Sequence, residues 1–184
     1  MFSDPDQWTA LLSALALGLS LISLVLTFQF NRRAKQAELQ DSFHGRFDRL
    51  QEVRTALLCR PAGEVPDTRE DHAAHIFFDR FWSLQLDQYT AWQHRFVAPD
   101  VFRFWVFARW RQLRQDAPDW TINGRTVAST FDTIRRSWSR EPEHQTGRPM
   151  VRGFLELFEQ VRAAASEAEV DRILAHHAPE LIPG

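Results

Sequence analysis

Between Asp6 and Arg32 the chain carries no charged residue, and the 23 positions from Trp8 to Phe30 are almost continuously apolar. At about 1.5 Å of rise per residue, the stretch from Ala10 to Phe30 makes a helix of roughly 31 Å, the thickness of a hydrocarbon core. A membrane-spanning helix is therefore expected over 8–30, preceded by a short tail (1–7). It is expected to stay attached, because Asp4 and Asp6 stand where a cleaved secretory signal would carry basic residues.

Arg32, Arg33 and Lys35 follow the apolar run directly. The positive-inside rule then assigns that end to the cytoplasm and the N-terminus to the outside. These three bases are also the candidates for lipid headgroup contact, each worth about 1 kcal/mol near an anionic surface. The expected location is a bacterial inner membrane, with nearly all the mass on the cytoplasmic side.

Along the apolar run, Ser13, Ala16, Ser20, Ser23 and Thr27 recur at spacings of three and four, and so share one stripe. Small and hydroxylated residues in such a stripe let a second membrane helix approach closely. The alternative is a solitary helix whose hydroxyls bond their own i−4 carbonyls.

Beyond residue 30 the composition favours helix: glycine is scarce at 7 and apolar positions recur three and four apart. An all-α fold of five to six helices is expected, with no sheet. The first part, 31–60, reads as an amphipathic stalk with Phe43, Phe47, Leu50, Val53 and Leu57 on one face. A break at Arg60–Asp67, rich in Pro and Gly, opens the helical domain (61–184). Asp67 or Thr68 is expected to cap a helix running to about Phe96. Pro99 and Asp100 open the next, apolar around its whole circumference from Val101 to Trp110, which predicts burial at the centre of a bundle with its arginines snorkelling outward. Further helices are expected over about 125–139 and 150–165, and a last one ends near His177, with Ser166 and Glu169 as a capping box. Trp120 is expected to pin the loop around Pro118, Asn123 and Gly124. Residues 101–140 hold eight Arg against three Asp, whereas 141–184 hold eight acids against four Arg, so complementary charge is expected between these segments.

Few residues point to chemistry. His72, His75 and Asp79 lie three and four apart, the spacing for one helix face, and two imidazoles with a carboxylate suit a divalent ion. Glu141 and His144 match half of a carboxylate-bridged di-iron motif, but Pro142 intervenes and no second half exists. The lone Cys59 has no paired base, and no phosphate-binding glycine loop or nucleophile elbow occurs. With a net charge of −2, and with Arg103–Arg114 read as a packed helix, no nucleic-acid partner is expected.

The anchor ending in Phe30-Asn31-Arg32-Arg33, the aromatic run from Phe77 to Tyr89 and the later Val101–Trp105 together resemble bacterial proteins that pair one N-terminal membrane helix with a small helical cytoplasmic domain. The resemblance implies topology and fold, with no active site or cofactor attached. The expected function is a non-catalytic accessory subunit or scaffold of an inner-membrane complex. Its partners would be the bilayer and other membrane subunits or a second copy of itself, the motive being that 15 Phe and 7 Trp in so short a chain mean either an unusually rich core or surface covered by another protein. Two other readings are a metal-binding bundle built on His72, His75 and Asp79, and a membrane-tethered signalling or defence component.

Overall fold

The computed structural model describes residues 5–59, 67–114, 121–139 and 148–178. They form six helices: α1 (Pro5–Leu58), α2 (Thr68–Gln93), α3 (Pro99–Leu113), α4 (Val127–Trp138), α5 (Arg148–Ala163) and α6 (Glu167–His176). Among the described residues there is no strand; a single antiparallel bridge joins Ile122 and Arg125. The all-α expectation holds. The chain falls into two units, Met1–Gln40 and Asp41–Gly184, and the boundary lies inside α1.

The first unit consists of the first part of α1, whose side chains from Leu12 to Phe30 are exposed almost without exception. No proline interrupts α1 after Pro5, so nothing in its sequence breaks the helix between Pro5 and Leu58.

The second unit is a bundle organised by its capping chemistry. Asp67 caps α2: its Oδ1 accepts from the Glu70 amide at 2.7 Å, and Glu70 Oε2 accepts from the Asp67 amide at 3.0 Å. The other end of α2 is a correction. The helix stops at Gln93 and not at Phe96, because Arg95 turns left-handed (φ 60°). The Arg95 and Phe96 amides then donate back to the Trp92 and Ala91 carbonyls, both at 2.8 Å, which is a Schellman closure built on an arginine in place of glycine.

Ahead of α4, Asn123 and Gly124 both have positive φ (49° and 73°), the signature of a tight type I′ turn, and they close the Ile122–Arg125 bridge. Asn123 Nδ2 donates to the Glu70 carbonyl at 3.1 Å and Arg125 pairs with Asp71 at 2.8 Å, so this turn is tied to the start of α2. Thr126 and Ser129 then form a capping box, and α4 begins at Val127, two residues later than its sequence pattern suggests. Ser166 caps α6 by accepting from the Glu169 amide, whereas the Glu169 carboxylate reaches past it to the Ala165 amide, so the expected box is shifted by one donor.

The core is aromatic. Phe77, Phe78, Phe81 and Trp82 of α2 are all at most 1% exposed. Trp82 contacts Phe131 of α4 and Phe158 of α5 with ring centroids 5.1 and 5.9 Å apart, and its Nε1 donates to Thr130 Oγ1 at 3.2 Å. Trp92 stacks on Phe102 of α3 at 4.3 Å, and Trp110 Nε1 donates to the Ala164 carbonyl at 3.0 Å.

α3 packs against α2, α4, α5 and α6. The expectation of burial all round is nonetheless corrected on one side, where Phe104 is 71% exposed: the surrounding helices do not close the circumference. Surface charge follows the expected asymmetry. Arg103 and Arg111 reach Asp171 and Glu167 of α6, and Arg135 reaches Glu159 of α5, pairs that solvent screens because they are exposed.

Gly153 of α5 lies against Tyr89 of α2. A Cβ there would lie 2.5 Å from the Tyr89 Oη. Gly153→Ala is expected to cost about 1–3 kcal/mol of stability by forcing Tyr89 out of its packing, despite the helix propensity gained. Chemical denaturation of the variant, compared with a Gly153→Ala/Tyr89→Phe double variant that removes the hydroxyl, measures that clash.

Candidate functional site

In the first unit the stripe Ser13, Ala16, Ser20, Ser23 and Thr27 is exposed along α1. Ser20 Oγ donates to the Ala16 carbonyl at 2.9 Å and Thr27 Oγ1 to the Ser23 carbonyl at 2.8 Å. These two hydroxyls are therefore satisfied within the helix and add no polar demand to an apolar surrounding. Arg32, Arg33 and Lys35 are exposed immediately after the apolar stretch. Of the described helices, α1 alone is long and apolar enough to cross a membrane, with a mean hydropathy of 1.9 over its best window and none of that window buried.

The histidine cluster sits on the first four turns of α2. His75 Nε2 lies 3.4 Å from Asp79 Oδ2, with both side chains about half exposed, and His72 is exposed one turn earlier. Among the described residues no three His, Cys, Asp or Glu side chains come together as a metal-binding group. The sequence spacing thus yields an i,i+4 pair and no enclosing third ligand. Cys59 is exposed. Glu141, His144 and Trp120 lie outside the described residues, as does most of the Arg60–Asp67 break.

Two surface concavities of the second unit are lined by described residues. One, of about 690 Å³, runs between the Arg46–Val53 part of α1 and the Ala73–Leu84 part of α2. Its floor is made by Leu50, Phe77 and Leu84, each at most 7% exposed. Arg46, Arg49 and Arg80 stand on its walls with Glu52. Arg46 pairs with Asp87 at 2.6 Å, and Arg49 Nε donates to the Gly45 carbonyl; neither Arg49 nor Arg80 meets a carboxylate among the described residues. The other, of about 550 Å³, lies between α4 and α5 beside Trp138, where Arg135 is already paired with Glu159.

Sequence reasoning missed Arg109. Its neighbours Arg103 and Arg111 do extend to solvent, but Arg109 is 5% exposed, with its guanidinium 4.7 Å from the Phe81 ring centroid and 5.8 Å from that of Phe47 on α1. Burial lowers its pKa to about 9, which leaves it cationic at neutral pH. A desolvated cation facing two aromatic rings is favoured by about 2 kcal/mol over the same cation facing aliphatic carbon. Elsewhere, burial raises the Tyr89 phenol above its ordinary value, with a hydrogen bond from Gln93 opposing. Burial also lowers the His177 imidazole, aided by His176 and opposed by Glu156. The Arg103 hydrogen bonds hold the Asp171 carboxyl below its usual range.

The described part of this arrangement holds an i,i+4 His75–Asp79 pair on an exposed helix face. Its distinguishing features are an exposed apolar helix and an arginine-walled groove. Comparison with known proteins finds no matching family model, no matching curated protein and no matching solved structure.

Proposed function

We propose that this chain is a non-catalytic accessory subunit or scaffold of a bacterial inner-membrane complex, anchored by the apolar part of α1. The carrying observation is that Leu12, Leu17, Leu19, Leu24, Phe28 and Phe30 are each more than 60% exposed on a stretch without a single charge. A water-facing apolar surface of that extent is unfavourable, and a bilayer relieves it. The acidic N-terminal tail and the Arg32–Arg33–Lys35 cluster support an outside N-terminus and a cytoplasmic bundle. The bundle binds a partner and positions it at the membrane.

The test is purification of the tagged, full-length protein from its native membrane in mild detergent, with mass spectrometry and size determination. A stoichiometric companion supports the reading; a lone monomer or a homo-oligomer contradicts it.

Orientation has an independent readout, because Cys59 is the sole cysteine and is exposed. A membrane-impermeant maleimide is expected to leave Cys59 unlabelled in intact spheroplasts and to label it after permeabilisation. Labelling of intact cells would place the bundle on the opposite side.

A further inference from the structure

We infer that the groove between α1 and α2 is the seat of an acidic amphipathic helix from another protein. The inference rests on the scaffold reading above and names the contact through which it operates. The two walls have helical phase. On α1, Arg46, Arg49, Leu50 and Val53 stand at i, i+3, i+4 and i+7; on α2, Ala73, Ile76, Phe77, Arg80 and Leu84 continue the same rhythm.

The lined lengths are about 10 Å on α1 and about 16 Å on α2, or two to three turns. A third helix packs against two such ridges at about 8–10 Å from each axis. The apolar floor supplies the anchor positions that helix-in-groove recognition uses at i, i+3/i+4 and i+7. Val53, 39% exposed, leaves apolar surface on one wall for such a helix to cover.

Charge sets the sign of the occupant. Arg49 and Arg80 lie on opposite walls, and neither is neutralised by a carboxylate among the described residues; Glu52 is the sole acid lining the groove. A helix with an apolar stripe flanked on both sides by Glu or Asp would satisfy both walls, whereas a basic helix would be repelled. Charge on both walls distinguishes this occupant from an amphiphile with a single terminal headgroup.

The experiment places a photo-reactive benzoylphenylalanine at Val53 or, separately, at Ile76 of the full-length protein in its native membrane, and sequences the crosslinked peptides. The expected result is a crosslink from both positions to one acidic, helically patterned segment of one protein. Its yield should fall roughly tenfold in Arg49→Glu/Arg80→Glu and persist in Arg49→Lys/Arg80→Lys. Both arginines are exposed, and circular dichroism verifies that the variants fold. Crosslinks only to lipid, to a second copy of this chain or to a basic segment, no crosslink at either site, or a yield indifferent to charge reversal would each overturn the inference. If a stoichiometric companion co-purifies but does not crosslink here, the groove assignment falls while the scaffold reading stands. If no companion co-purifies, both fall.

Discussion

Trp82→Ala is expected to destabilise the helical unit by about 3–5 kcal/mol, the range for removing a large aromatic side chain from a core that cannot collapse around the gap. Trp82 is fully buried and meets Phe81, Phe131, Phe154 and Phe158, so its removal opens a void shared by α2, α4 and α5. The hydrogen bond from its Nε1 to Thr130 Oγ1 is a separate part of the loss. Thr130→Val removes the acceptor, leaves a buried indole donor unsatisfied and is expected to cost about 1–3 kcal/mol. Trp82→Phe keeps most of the ring, loses the donor and should fall between the two substitutions. Urea unfolding followed by near-ultraviolet circular dichroism measures all three. A Trp82→Ala loss under about 1 kcal/mol, the level of an ordinary surface change, would contradict Trp82 as the centre of the core.

The sequence reading puts the bundle centre at the fully apolar run Val101–Trp110 and takes the aromatic run from Phe77 to Tyr89 only as part of a resemblance, although Phe77, Phe78, Phe81 and Trp82 recur at helical spacing between the cap signal at Asp67 and Pro99. Spacing of that kind reports which face of a helix needs cover, and the structure covers it. The end of α2 was not legible, since Arg95 carries none of the backbone freedom by which glycine announces a left-handed turn. The run from Val101 to Trp110 has apolar residues in every direction and therefore no phase. Nothing in it distinguishes Phe104, which faces solvent, from Phe102, which stacks on Trp92.

The arginines show the same boundary. Arg103 and Arg111 behave as long side chains on a packed helix usually do, whereas Arg109 depends on Phe81 and Phe47 arriving from two other helices. The groove is likewise a property of a pair, α1 with α2. Sequence periodicity describes each helix alone and is silent on what a pair leaves open. In the histidine cluster the spacing correctly brought His75 to Asp79, because an i,i+4 relation is fixed by the helix itself, but a metal site needs a third ligand that only tertiary structure can deliver.

On the anchor reading proposed above, placing two arginines in the apolar run, as Leu19→Arg/Ile22→Arg, is expected to abolish membrane insertion. The twelve Leu, Ile, Val and Phe residues from Leu11 to Phe30 supply at best roughly 4–7 kcal/mol on the insertion scale, and serine, threonine and glutamine reduce that total. Two arginines near the middle cost about 5–7 kcal/mol on the same scale, enough to cancel it. Either substitution alone should weaken insertion only in part, because a single arginine can snorkel toward an interface. Alkaline extraction of isolated membranes gives the measurement: the unaltered protein stays with the membrane pellet, the single variants divide between pellet and supernatant, and the double variant leaves the pellet. Because residues 19 and 22 lie in the first unit, the bundle that begins at Asp41 should retain its helical signal when released. If the double variant remained embedded, the hydrophobicity of the first unit would not be what holds the protein at the membrane. Attachment would then have to come through the bundle itself, with exposed Phe104 the first side chain to substitute.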